Sequence, residues 1–350
     1  MFRFGCIRVL AAICLYSWQA HGLASFNKRL GTTHHNDVHS TFQLNLLGNN
    51  NLLDTLFSSF DSKTQQWPKV EAPPNFVVPE PRPLTITDST NLGGFISSSA
   101  GLALRLATGA FVLGWKVDTI FAPDDGKYAL QLGPLRIRDS SSVLDLASPP
   151  VETIILYDNE SSSTCKRVRE MMNLLDITYE CRPVFGPEID NLPRIDDPNL
   201  GETISGDDEI IEHLLKQYGP ASSLYDLKAL WPITFKEFSL ATSQLAIMLR
   251  GNTGAMQQTN ARPGNSKMKP IQLWAYECSP FVRPVKEKLS SLGLPHVVVS
   301  CSRGSKNRDK MLEKVGGFQV PFIVDDNTGI EMFEGAEIVD YLEAVYTESD

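Results

Sequence analysis

The sequence predicts an α/β chain in which one small unit, strand-helix-strand-helix-strand-strand-helix, occurs twice in succession. Three observations carry that reading. Sliding the chain on itself by 117 positions places Ile154 on Ile271, Leu156 on Leu273, Ser162 on Ser279, Val168 on Val285, Glu170 on Glu287 and Leu175 on Leu292. Further on, a slide of 128 places Pro193 on Pro321, Ile195 on Ile323, Asp197 on Asp325, Asn199 on Asn327, Gly201 on Gly329, Glu209 on Glu337 and Leu214 on Leu342. The third observation is that the later copy alternates strand-like and helix-like apolar periods in one order throughout.

In that copy, Ile271 to Tyr276 is a short apolar strand, and Pro280 opens a helix with Val285, Leu289 and Leu292 on one face. Gly293 ends it. His296 to Ser300 is β-branched and strand-like, Lys306 to Val315 a polar helix, and Pro321 to Val324 a third strand. Asp325 to Gly329 turns the chain into a strand at Ile330 to Phe333, and Glu337 to Tyr346 is the last helix. Such an order builds a small mixed sheet faced with helices. The change of slide removes 11 residues from the middle of the first copy, where the second has its polar helix, so the first copy is degenerate.

The 350 residues have the composition of globular protein, and a formal charge of -9 without a long basic run argues against nucleic-acid binding. Arg3 and Arg8 before the apolar stretch Val9 to Trp18 predict a signal peptide over 1–25. Residues 26–66, rich in Asn, Ser and Thr, then read as a disordered transit peptide. The junction Leu23-Ala24-Ser25-Phe26-Asn27 resembles the signal-plus-transit boundary of algal plastid proteins, which implies plastid delivery, with secretion as the alternative. Six prolines make 67–84 an extended, solvated linker. Over 85–150 the sequence predicts an apolar helix and short strands at Tyr128 to Leu132 and Leu135 to Arg138. The apolar stretch is 93–115, broken by Arg105, and two fates are open to it: packing on the units that follow, or association with a membrane. The repeats occupy 151–220 and 269–348, joined by a helical linker over 221–268 that ends in a flexible Gly/Gln/Asn stretch. Cys165, Cys181, Cys278 and Cys301 make no disulfide scaffold, and no Cys/His spacing suggests a metal.

Three motifs of the second copy stand where chemistry is done in a known superfamily: Cys278-Ser279-Pro280-Phe281-Val282-Arg283, Val320-Pro321-Phe322, and Phe333-Glu334-Gly335-Ala336-Glu337. They resemble the thioredoxin-like fold of glutathione S-transferase N-terminal domains and glutaredoxins. Over roughly 84–350 the chain is similar to plastid proteins carrying two such domains in tandem. The expected fold class is therefore α/β, two thioredoxin-like (βαβαββα) domains, the first degenerate, after a targeting region and an apolar helical segment. Glutaredoxin-like members pair an attacking and a resolving cysteine. Here the two positions hold Ser279 and Val282 in the second copy, and Ser162 and Cys165 in the first, which argues against a dithiol mechanism.

The resemblance implies glutathione as ligand or co-substrate. Ser279 would donate a hydrogen bond to its sulfur and lower the thiol pKa. Cys278, one residue earlier, is either an ordinary thiol or a displaced reactive one. Val320-Pro321 would be a cis peptide whose Val320 groups bind the cysteinyl backbone, with Phe281 beside it. Glu334-Gly335 would anchor the γ-glutamyl end at a helix N-terminus. The corresponding Gly206-Asp207 of the first copy carries an acid that repels this anion, so that copy is a structural or regulatory partner. Two functions remain open. One is a glutathione-binding protein with transferase-like or monothiol redox activity in its second domain, and the other a non-catalytic scaffold that docks on a plastid protein partner.

Overall fold

The computed structural model describes residues 68–82, 99–132, 135–222 and 230–348. The expected signal at 1–25 and transit segment at 26–66, with Cys6 and Cys14, lie outside them. A short helix, α1, covers 99–104. It leads to a three-stranded antiparallel sheet of β1 (Trp115–Ile120), β2 (Leu130–Leu132) and β3 (Leu135–Ser141), in the order β1-β3-β2.

Residues 154–218 then run β4 (Ile154–Asp158), α2 (Ser163–Leu174), β5 (Tyr179–Pro183), a 3-10 turn (Gly186–Asn191), β6 (Arg194–Asp197), β7 (Glu202–Ser205) and α3 (Asp207–Tyr218). Helices α4 (Trp231–Thr234) and α5 (Lys236–Met248) follow. Residues 271–346 run β8 (Ile271–Ala275), α6 (Arg283–Ser291), β9 (His296–Ser300), α7 (Asn307–Val315), β10 (Phe322–Asp325), β11 (Ile330–Phe333) and α8 (Gly335–Tyr346). The 3-10 turn stands where the other unit has α7, which is the place of the missing residues.

Among the described residues, eight strands form one sheet in the order β11-β10-β8-β9-β5-β4-β6-β7. Within each unit the first two strands pair in parallel and the last two form an antiparallel hairpin. The units join edge to edge, because β5 and β9 pair antiparallel with Tyr179 opposite Val298, Glu180 opposite Val297 and Cys181 opposite His296. Glu180 and Val297 are themselves 117 positions apart, so a local two-fold axis passes between them. The joint covers an edge strand of each unit, which otherwise presents unpaired N-H and C=O groups. In the same register Cys181 corresponds to Val298; an alignment of Cys181 with Cys301 fails, because Cys301 follows the end of β9.

Charge obeys that axis too. Glu160, Arg169 and Glu170 recur at 117 positions as Glu277, Lys286 and Glu287, and all six are buried. Arg169 contacts Glu160 at 3.4 Å and Glu277 at 3.1 Å, while Lys286 contacts Glu160 at 3.4 Å and also pairs with Glu277. Asp158 adds a 2.6 Å contact to Arg169. Farther from the axis, Glu170 pairs with Arg105, and Glu287 with Arg250 at 2.6 Å. Burial alone would raise the Glu277 pKa, but Arg169, Lys286 and Lys166 outweigh it and hold the carboxyl well below its ordinary range.

Three expectations change. The stretch 93–115 is not one helix, for α1 ends at 104 and the chain turns through positive φ at Leu106 and Ala107. Its Arg105 is 1 % exposed, held by Glu170, Thr242 and Ser239, which ties the segment to α2 and α5. Among the described residues no helix is long and apolar enough to cross a membrane. Nor is the Gly/Gln/Asn stretch a free tether. Asn265, buried, donates to the carbonyls of Leu292 and Tyr346, and the Gln258 N-H donates to Ser291. Finally, the proline-rich segment is not solvated throughout: Val70 is in the core and the Phe76 ring lies 5.3 Å from that of Tyr341. Proline keeps a chain extended but does not stop its few apolar residues from finding a surface.

Candidate functional site

The three motifs of the second unit meet at the N-terminus of α8. Gly335 is the point of contact, since a Cβ there would come within 2.8 Å of the Phe281 carbonyl oxygen and 3.5 Å of Pro321 Cγ. This closeness explains the glycine, because any side chain there would press on the Phe281 backbone. The Val320-Pro321 peptide is cis, and so is Leu192-Pro193 at the corresponding place in the first unit. Val320 is buried, ahead of β10.

Ser279 stands between β8 and α6, where its carbonyl accepts the Arg283 N-H at 3.2 Å, the first helical bond of that turn. Its side chain is 1 % exposed, and Oγ makes no well-formed hydrogen bond among the described residues, although the half-buried Tyr276 side chain is close enough for Ser279 to pull that phenol's pKa down against the upward push of burial. The corresponding Ser162 is satisfied internally, for its Oγ caps α2 by accepting the Cys165 N-H at 3.3 Å. A buried hydroxyl without a partner costs free energy on the order of 1–3 kcal/mol, which a bound acceptor would recover.

Glu334 precedes α8 with φ of 75°, in the region that favours glycine, and the first unit has Gly206 there with φ of 95°. Holding a charged residue in that conformation costs about 1–3 kcal/mol and is common where a side chain must be aimed. Its Oε1 accepts Nε2 of Gln319 at 2.9 Å and the main-chain N-H of Arg82 at 2.7 Å. The Arg82 guanidinium pairs with Glu337, in the first turn of α8.

In the first unit the same helix start is closed differently. Asp207 and Asp208, opening α3, both accept from Arg167 Nη1 at 2.5 Å. Lys236 adds contacts of 2.9 Å and 2.5 Å to the same pair, and Arg167 Nε donates to the Ile233 carbonyl at 2.6 Å. The Asp207 carboxylate therefore meets cations from its own chain.

The thiols are not activated. Cys278 is half-buried, and burial pushes its pKa above the ordinary thiol range, with Lys166 acting the other way. It lies beside the ionic core, where Lys166, Glu170 and Glu277 act on its thiol, and its backbone lies against Gly109, where an added Cβ would come within 3.6 Å of the Cys278 N. Burial pushes Cys165 up to about 12 and raises Cys181 and Cys301 as well. Arg303 is already paired, with Asp139 at 2.9 Å. No group of His, Cys, Asp and Glu able to hold a metal occurs among the described residues.

The structure thus brings Ser279, Phe281, Pro321, Glu334 and Gly335 into one neighbourhood and turns Cys278 toward the ionic core. What the sequence did not disclose is Arg82, because a linker of prolines carries no mark of the surface it will reach. Residues 273–350, most of the second unit, match the family of the glutathione S-transferase N-terminal domain, whose fold is thioredoxin-like. No curated protein and no solved structure matches the chain.

Proposed function

We propose that the second unit binds glutathione, with Ser279 at the sulfur, the Val320 backbone along the cysteinyl residue, and Glu334-Gly335 at the γ-glutamyl end. The observation that carries this reading is the unpartnered, buried Ser279 hydroxyl beside a helix start where Phe281, Pro321 and Gly335 touch. A hydroxyl donating to sulfur favours the thiolate, since a charge-assisted bond is stronger than a neutral one. The proton that leaves the sulfur goes to solvent, and the activated thiolate is available to an electrophile. Raised thiol pKa values make this transferase-like use a better fit than monothiol redox chemistry through Cys278. The first unit is a degenerate copy of the same thioredoxin-like fold that supports the second, and the whole acts in the plastid.

Isothermal titration with glutathione tests the reading. Wild type gives a binding isotherm at millimolar ligand, and Ser279→Ala weakens binding about tenfold at a pH near the bound thiol's pKa, with less effect on the S-methyl conjugate. Absence of heat in wild type overturns it. The alternative, a non-catalytic scaffold, is favoured by one observation, the closure of the first unit's helix start by Arg167 and Lys236.

A further inference from the structure

We propose that the proline-rich segment 68–82 is a built-in competitor for the glutathione site of the second unit, a regulation that rests on the function proposed above. The segment is fixed at two apolar points, Val70 in the shared core and Phe76 against Tyr341 of α8 in the second unit. Between them the chain turns at Pro74-Asn75, where the Phe76 N-H donates to the Pro73 carbonyl at 3.0 Å, and beyond them Pro79 and Pro81 favour an extended path. At its far end Arg82 reaches the start of α8, its N-H on Glu334 Oε1 and its guanidinium on Glu337.

A γ-glutamyl group ends in an α-ammonium and an α-carboxylate. The carboxylate suits the free N-H groups at the start of a 12-residue helix, and the ammonium needs an acidic acceptor beside it. Glu334 is that acceptor, and Arg82 already supplies it with a donor. Oε1 of Glu334 already takes two donors, Gln319 and Arg82, so an ammonium seated on that oxygen displaces the Arg82 N-H. The contact is built to be released: the Arg82 side chain is 57 % exposed and that of Glu337 31 %, so solvent is at hand for both. The buried, unpartnered Ser279 hydroxyl, two residues from the Phe281 carbonyl that meets Gly335, marks the part of the site the strap leaves unsatisfied.

A strap closed nine-tenths of the time weakens the apparent affinity about tenfold, because only the open fraction binds. Titrating glutathione into the full chain and into Arg82→Pro, which removes the main-chain donor together with the guanidinium and is expected to fold alike since Arg82 is on the surface, should show about a three- to tenfold tighter dissociation constant for the variant. Amide hydrogen exchange in 76–82 of wild type should rise when glutathione is added. If Arg82→Pro binds equally or more weakly while wild type binds, Arg82 is a bystander or a ligand arm and the competitor is overturned alone. Falling exchange in 76–82 on binding overturns it too. If neither form gives heat with glutathione, the site reading itself fails and the strap's role falls with it.

Discussion

The helix starts of α3 and α8 occupy corresponding places in two units of one sheet, yet the chain closes them with contacts of very different kind. At α3 the Arg167 guanidinium, 3 % exposed, is locked between two aspartates and a backbone carbonyl. At α8 the closing group is an exposed arginine on a strap that is anchored elsewhere. The serine before the first helix of each unit differs in the same sense, since Ser162 caps its helix and the Ser279 hydroxyl caps none and makes no well-formed bond among the described residues. Identical topology therefore does not imply equivalent sites: what differs is whether the polar groups at the helix start are satisfied from inside the chain, permanently, or from a segment that can leave.

The largest effect should come from the part the two units share. Arg169→Ala leaves Asp158, Glu160 and Glu277 short of a partner in a buried setting, and should destabilise the chain by about 3–5 kcal/mol, read from the urea midpoint. A single transition by both fluorescence and circular dichroism would show the halves unfolding together; two transitions would break the comparison, because the units would then be independent. The Glu277 share of that stability has a defined sign. Its folded pKa lies below the unfolded one, so the contribution is present above the ordinary carboxylate pKa and is lost as pH falls through the lowered folded value.

A smaller loss, about 2 kcal/mol, is expected for Arg167→Ala, which strips two carboxylates of a buried donor. The same change at Arg82 should cost less than about 1 kcal/mol, as exposed pairs do. Arg167→Ala should also leave glutathione binding where it is, measured by titration; a second binding event would show that the first site was merely masked. The effect that is least at pH 7, and grows as the pH falls, concerns His296, which stands where the first unit has Tyr179. Burial lowers its pKa to about 4 from an ordinary value near 6.5, so the unfolded chain takes up a proton first and His296 costs stability as pH falls between those values. His296→Gln removes that contribution, and the difference between variant and wild type in urea midpoint should grow in the variant's favour from pH 7 to pH 4.

Much of this was legible in the residues. The three consecutive valines of β9 and the positive-φ glycine at 293 mark their elements directly. The motif spacing assembled one site because each motif lies at an element boundary, where backbone groups are unpaired. The ionic core was harder to see. Nothing in a single charged residue of α2 marks it as buried, although the recurrence of Glu160 and Arg169 as Glu277 and Lys286 at the slide of 117 was a signal that these charges stand in equivalent places in the two units. The path of 68–82 was not legible at all, since Val70 and Phe76 are too few to show a period.

The seam between β5 and β9 has one more consequence. Two copies of a single polypeptide meeting across such an axis would carry every substitution twice, so a change that sealed one cleft would seal its twin. Here the two faces are written separately along one chain, and each is free to specialise. That freedom is what lets Arg167 stand in one half while proline 284 holds its counterpart position in the other.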